Sequence, residues 1–259
     1  MACKGSLRRS TAQRWGSRPA ATDKAAAKLT RPDRLAALHN HTMLTLPVDR
    51  RQTGSEEIAN AISHGLGAAL ALAALPLLVW RAAGLGTATD VVAASVFAGS
   101  MLLLYGISAL YHALPHGRAK VWLNRLDHAA IYVFIAGSYT PFTLGVLRGG
   151  WGWTLFCIVW SVAAFGVTVK LLNRLKHPLV STGLYLAMGW VAVVAAAPLV
   201  ARMPVAGLVW LVAGGLSYTL GAVVFLLDNR IRYAHFVWHL FVLGGSVCHF
   251  FAAFWYAYG

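Results

Sequence analysis

Seven apolar segments follow one another between residues 58 and 258, and this repetition constrains the fold more than any other feature of the chain. Each segment is close to the ~20 residues that an α-helix needs to cross a bilayer. The connections between them are too short for a separate soluble domain. The sequence therefore predicts an all-α integral membrane protein with a seven-helix transmembrane bundle. The predicted segments are Ile58 to Arg81, Val91 to Ala113, Ala129 to Leu147, Trp151 to Leu171, Leu179 to Val200, Val205 to Leu227 and His235 to Tyr258.

Membrane lipids are the expected partners, although the chain is basic enough to suggest nucleic acid. Hydrophobic residues make up 58% of the chain, and the formal net charge is +14. Half of the 22 lysines and arginines precede Glu56, and most of the others flank apolar segments, as in a membrane protein. We expect no nucleic acid and no obligate protein partner. Cys3, Cys157 and Cys248 lack the spacing of a disulfide framework or a cysteine zinc site.

The chain divides into a basic tail, residues 1–55, and a seven-helix domain, residues 56–259. The tail is rich in Arg, Lys, Ala, Ser and Thr and has no sustained apolar run, so it is predicted to be disordered. Two other interpretations stay open for it: an organellar transit peptide, or an upstream extension with Met43 as the true start.

Charge predicts the orientation of the helices. The tail and the second, fourth and sixth loops carry nearly all the lysines and arginines. Basic loops stay on the cytoplasmic side. We therefore predict a protein of the cell membrane, inner or plasma, with a cytoplasmic N-terminus and the C-terminus outside.

Three histidines and an aspartate are placed where predicted helices end at one face of the membrane. His235 and His239 open the seventh segment four residues apart, so in a helix they lie on one face. His112 ends the second segment and Asp127 opens the third, both at the cytoplasmic side of the predicted topology. Ser108 shares the helix face of His112. Ionisable groups are costly in a membrane, so we interpret this group as a functional site.

Simpler roles remain open for each of these residues. The two histidines of the seventh segment can face lipid headgroups. Asp127 can pair with Arg125 or cap the third helix. Ser108 can be a small packing residue bonded to its own helix backbone.

As a group, the same residues suggest a catalytic zinc centre. Three neutral histidines, His112, His235 and His239, are a familiar Zn²⁺ set that leaves one position for water. Asp127 could orient that water and accept its proton, and Ser108 could donate a hydrogen bond to the water or to a substrate carbonyl. A Mg²⁺ or Ca²⁺ site would require more carboxylates than this region offers.

Polar residues around the first segment are weaker candidates for the functional site. Glu56 and Glu57, with Asn60 and His64, lie on the same side and could support the site, although acids at a helix start also complement the helix dipole. His64 is predicted either to form a polar wall or to be a hydrogen-bonded core histidine. His249 lies ten residues beyond His239, about 15 Å deeper, which is too far to share its metal. His128, adjacent to Asp127, should point to another face.

The ordered set of motifs resembles the haemolysin III branch of the progestin and adipoQ receptor (PAQR) superfamily over about residues 56–258. That resemblance implies seven helices and an intracellular-side zinc bound by His112, His235 and His239, with Asp127 contacting the metal through water and Ser108 beside it. The long basic tail is the one departure. The motifs are Glu57-Ile58-Ala59-Asn60, Ser63-His64-Gly65, Ser108-x-x-x-His112, Leu126-Asp127-His128, Gly137-Ser138-Tyr139-Thr140-Pro141 and His235-x-x-x-His239.

Two functions are compatible with the motifs. The first is a zinc-dependent, ceramidase-like hydrolase of lipid amides or esters that acts in membrane lipid homeostasis. The second is a non-enzymatic membrane protein, a pore-forming cytolysin or a sensor, in which zinc clamps helices together. A structural zinc would be closed by four protein ligands, whereas a catalytic one keeps an open position. A wide pore would require polar stripes that the central parts of the segments lack.

Overall fold

The computed structural model describes residues 50–175 and 177–258, and every regular element within these ranges is a helix. Seven helices are long and apolar enough to span a membrane, which confirms the all-α fold and the predicted number of spans. Residues 1–49 of the predicted disordered tail, which was expected to run over residues 1–55, lie outside the described residues. The helices are α1 (Gly54–Leu85), α2 (Ala88–Ala113), α3 (Arg118–Leu147), α4 (Gly149–Leu171), α5 (Pro178–Arg202), α6 (Val205–Phe225) and α7 (Ala234–Tyr256).

Two helices, α1 and α3, begin four or more residues before their predicted apolar segments. α1 starts at Gly54 behind Thr53, which forms a reciprocal capping box with Glu56. The chain before it is also hydrogen-bonded, since Arg50 donates to both oxygens of the Glu56 carboxylate. α3 starts at Arg118 rather than near Ala129. Apolarity marks the membrane-crossing part of a helix, whereas capping and polar contacts decide where the helix starts.

Small residues let α1, α2, α3 and α7 pack closely. Ala71, Ala94, Ala98 and Ala253 are all buried in one core. Gly137 in α3 lies directly on Ser100 of α2, where a Cβ atom would collide with the Ser100 side chain. Transmembrane helices gain little by burying apolar surface against each other, because lipid is equally apolar. Close approach of their backbones at small residues is therefore a main source of their packing energy.

α5 is the least buried of the seven helices and is irregular in its middle. Its α-helical turns end at Gly189 and resume at Ala196, with a 3₁₀ segment Trp190–Ala195 between them. The Tyr139 hydroxyl of α3 donates to the Gly189 carbonyl at 2.5 Å and accepts from the Ala192 backbone N–H at 2.9 Å. Backbone groups that lose their helical partners inside a membrane need such replacements.

Candidate metal centre

Three buried histidines from two helices converge at one end of the bundle. His112 lies in the last turn of α2, and His235 and His239 lie one turn apart at the start of α7. One ring nitrogen from each lies within 4.8 Å of the other two. These residues are nearly inaccessible, with exposed fractions of 3%, 8% and 0%. The convergence predicted from helix ends is therefore present in the fold.

Carboxylates orient two of the three rings. His112 Nδ1 lies 2.7 Å from Glu57 Oε2 of α1, and Lys120 of α3 pairs with the other Glu57 oxygen at 2.9 Å. His235 Nδ1 lies 3.1 Å from Asp228 Oδ2, in the loop between α6 and α7. An ionised carboxylate only accepts hydrogen bonds, so the proton of each ring is placed on Nδ1.

The tautomer of His239 is fixed by a hydroxyl. Ser63 Oγ lies 3.0 Å from His239 Nδ1 and donates its own proton to the Asn60 carbonyl at 2.9 Å. Because that proton is already used, Ser63 accepts from Nδ1–H of His239. The lone pair of His239 is therefore on Nε2.

All three Nε2 atoms are consequently acceptors, and all three are buried without a hydrogen-bond partner among the described residues. Leaving a buried polar atom unpaired costs about 1–3 kcal/mol. Three such atoms on converging rings fit a metal ion, because neutral imidazoles whose other nitrogen donates to a carboxylate or hydroxyl are typical metal ligands. Imidazole donors suit Zn²⁺ among the common biological cations.

A fourth histidine lies against this group without joining it. The His64 ring stacks on His239 with centroids 3.4 Å apart and an interplanar angle of 9°. Both of its ring nitrogens are buried and have no partner within the described part of the chain. His64 is therefore not the hydrogen-bonded core histidine that was one of its two predicted roles.

Asp127 and Ser108 are buried, and neither belongs to the set of converging nitrogens. Asp127 lies on the wall of a large cavity, together with His64 and His128. The Ser108 hydroxyl lies beside the Asp127 carboxylate, outside good hydrogen-bond geometry, and has no other partner among the residues described. His128 bonds through Nδ1 to the Asn124 carbonyl at 2.8 Å, so it has a partner of its own.

The cavity has a volume of about 510 Å³ and a mostly apolar wall, formed mainly by α3, α5, α6 and α7. Residues near both ends of α3 contribute to it, from Asp127 to Leu147. Twenty helical residues rise roughly 30 Å, so the cavity extends along most of the membrane thickness. His249 lines it far from the metal end and bonds to the Leu211 carbonyl, in agreement with its predicted exclusion from the ligand set.

Several supporting residues were missed or undervalued from sequence. Ser63 was noted only as part of a motif, and Asp228 had no role, although it is one of three aspartates after Ile58 and precedes His235 by seven residues. For Glu57 the sequence leaves two roles open, support of the site and a helix-start acid, and the structure places its carboxylate against His112 Nδ1. Sequence spacing cannot show the contacts of Glu57 and Ser63, because both residues lie on α1, far along the chain from the histidines that they orient.

Fold and site together define a multi-pass integral membrane protein with a buried histidine cluster at one end of a seven-helix bundle. Residues 52–250 match the sequence model of the family described as Haemolysin-III related. The chain belongs to this family, the haemolysin III branch of the PAQR superfamily, as its motifs predicted.

Bacterial and animal proteins are similar to the chain. It is 46% identical to the Hemolysin-3 homolog of Bacillus subtilis (strain 168), over 79% of this chain and 95% of the relative. It is 45% identical to Hemolysin-3 of Bacillus cereus, over 78% and 91%. The human Monocyte to macrophage differentiation factor is 31% identical over 64% of this chain and 71% of the relative. No solved structure matches the chain.

Proposed function

We propose that His112, His235 and His239 bind one Zn²⁺ ion and that the site hydrolyses lipid amides or esters in membrane lipid homeostasis. The observation that carries the proposal is the set of three buried Nε2 atoms without partners, on rings whose Nδ1 atoms are all held by hydrogen bonds. Zinc bound by three histidines supplies Lewis-acid chemistry and activates water for hydrolysis.

Asp127 and Ser108 have the polar roles in this proposal. Asp127 accepts the proton of the attacking water, since it is the carboxylate on the cavity wall that it shares with His64, whose ring stacks on His239. Ser108 donates a hydrogen bond to the water or to the carbonyl oxygen of the lipid, because its hydroxyl has no partner among the described residues.

The cavity supports a lipid as substrate. A volume of about 510 Å³ is in the range of small-molecule sites, and the wall is mostly apolar apart from the end that holds Asp127, His64 and His128. A lipid whose amide or ester group lies at that end has its hydrocarbon chain along the apolar part of the cavity wall. Membrane lipids are therefore the proposed partners.

We place the site on the cytoplasmic side of the cell membrane, inner or plasma, with the N-terminus inside and the C-terminus outside. Arg118, Lys120 and Arg125 lie on the histidine side of the bundle, as do Arg230 and Arg232 between α6 and α7. Basic residues concentrate on the cytoplasmic side of membrane proteins.

The names of the Bacillus relatives favour a second candidate, a non-enzymatic cytolytic protein with a structural zinc. In this case the metal only holds α2 against α7. Removing it lowers the stability of the protein, and no enzymatic activity is lost because there is none. Lysis of erythrocytes or dye-loaded vesicles by the purified protein is the direct assay.

Elemental analysis of the detergent-purified protein tests the metal centre first. We expect about one zinc per chain, and its loss in His112→Ala and in His239→Ala. His116→Ala is the matched control, because His116 is an exposed loop histidine on the same side. Wild-type protein without stoichiometric metal, purified without chelators, would contradict the proposal. A zinc-loaded protein is then screened against lipid amides and esters.

A further inference from the structure

The four residues before α1, Arg50 to Thr53, connect the first helix to the loop between α6 and α7. We name Arg50–Thr53 the pre-helix segment. Arg50 donates from both terminal nitrogens to the Glu56 carboxylate, at 2.8 and 2.7 Å, and reaches the Ile231 carbonyl at 3.3 Å. Gln52 donates to Asp228 Oδ2 at 3.2 Å. The segment therefore contacts the loop at two separate points.

Glu56 joins these contacts to the start of α7. Its side chain is 1% exposed and accepts from Arg50, from Thr53 and, at 2.8 Å, from the backbone N–H of Tyr233. Tyr233 has a left-handed backbone with φ of 60°, which is uncommon for a residue other than glycine and is retained only where surrounding contacts hold it. It precedes His235 by two residues, so Glu56 fixes the turn from which that histidine starts.

Asp228 provides the second connection. Its Oδ2 atom accepts from Gln52 and also from His235 Nδ1, at 3.2 and 3.1 Å. Gln52 is held in turn by Asn60 of α1, which donates to Gln52 Oε1 at 2.7 Å. A continuous hydrogen-bonded series thus runs from Asn60 through Gln52 and Asp228 to His235.

We infer that Arg50 and Gln52 are positioning residues of the metal centre, acting on His235 through the loop between α6 and α7. The inference rests on the proposed function, because it requires a metal at the three histidines. Neither residue touches the histidines; Gln52 orients Asp228, and Arg50 holds Glu56 and the Ile231 carbonyl. When the partner that orients a histidine is itself fixed, less free energy is lost in ordering the histidine as the metal binds. Outer contacts of this type typically contribute 10–100-fold in metal affinity.

Zinc affinity measured on the full-length protein in detergent, by competition with a chromophoric chelator, tests the inference. Arg50→Ala and Gln52→Leu should each weaken zinc binding by about tenfold or more. Arg51→Ala is the matched control: it removes the same charge from the neighbouring residue, which is exposed and makes no side-chain hydrogen bond or ion pair within the described residues. It should leave the affinity within about twofold of wild type, in line with the small effect of most surface charges.

The visible absorption spectrum of the Co²⁺-loaded protein separates positioning from general destabilisation, because it reports the geometry of the ligands. We expect the spectrum to change in Gln52→Leu and to match that of the wild type in Arg51→Ala. The comparison requires that the unfolding temperatures of both variants are close to that of the wild type. Arg50→Lys, which keeps the charge but not the paired geometry, should recover only part of the affinity.

Three results overturn the inference in distinguishable ways. Equal weakening by Arg50→Ala and Arg51→Ala would assign the effect to charge alone. Wild-type affinity and spectrum in both Arg50→Ala and Gln52→Leu would show that the pre-helix segment does not position the site, with the metal centre itself intact. Wild-type protein that binds neither Zn²⁺ nor Co²⁺ would remove the proposed function, and this inference with it.

Discussion

Each candidate zinc ligand has a different partner on its Nδ1 atom: Glu57 for His112, Asp228 for His235 and Ser63 for His239. The partners of His112 and His239 come from α1, far along the chain, and the partner of His235 comes from the loop just before α7. This leaves Asp127 as the buried carboxylate of the site that orients no histidine and makes no ion pair among the described residues. A carboxylate that is not engaged by a histidine or a cation is available to accept a proton, as a general base must be.

Asp127→Asn tests that role. The amide has the same shape but cannot accept a proton from water, so hydrolysis of a lipid substrate should fall by about 10²–10⁴-fold. Zinc content should stay at the wild-type level, since Asp127 is not among the converging groups. Both quantities are measured on one preparation. Full hydrolytic activity in Asp127→Asn would show that the base is another residue.

At the scale of single helices, α5 is the exception in this bundle. It is weakly buried, changes to 3₁₀ geometry at Trp190–Ala195 and forms much of the cavity wall. Its irregular backbone is held by one side chain, the Tyr139 hydroxyl, which bonds to Gly189 and Ala192. One phenol therefore stabilises the 3₁₀ segment in the wall of the cavity.

Tyr139→Phe should destabilise the protein, because it removes the hydroxyl that bonds to the Gly189 carbonyl and the Ala192 N–H inside the membrane. The expected loss in unfolding free energy is about 1–3 kcal/mol, measured as a lower unfolding temperature in detergent. Tyr256→Phe is the control: that hydroxyl makes no hydrogen bond within the described ranges, and its removal should leave the unfolding temperature close to that of the wild type. Equal effects of the two substitutions would contradict the assigned role of Tyr139.

For the whole molecule, the proposed orientation makes a prediction about access from outside the cell. Thr89→Cys and Arg174→Cys place thiols at exposed positions on opposite ends of the bundle, in a background without the native cysteines. A membrane-impermeant maleimide should label Thr89→Cys on intact cells and Arg174→Cys only after permeabilisation. The reverse pattern would place the histidines outside the cell and reject the orientation drawn from charge.

Much of this architecture can be predicted from the sequence, because a helix that spans a bilayer needs about 20 mostly apolar residues. The seven spans and the meeting of His112 with His235 and His239 follow from helix periodicity and alternating direction. The start of α3 does not, because its first turns are held by polar contacts such as the pair between Lys120 and Glu57. The 3₁₀ segment of α5 also escapes prediction, since it depends on a tyrosine in another helix.

The ion pairs of the histidine end have an electrostatic consequence for the bundle. Four of the five acidic side chains after Arg50 lie there, and two are matched by cations: Glu56 by Arg50 and Glu57 by Lys120. Asp127 and Asp228 have no lysine or arginine partner among the described residues. Two unmatched negative charges equal the charge of one divalent cation, so a filled site is locally neutral, whereas an empty one leaves an anionic pair at the edge of a low-dielectric medium.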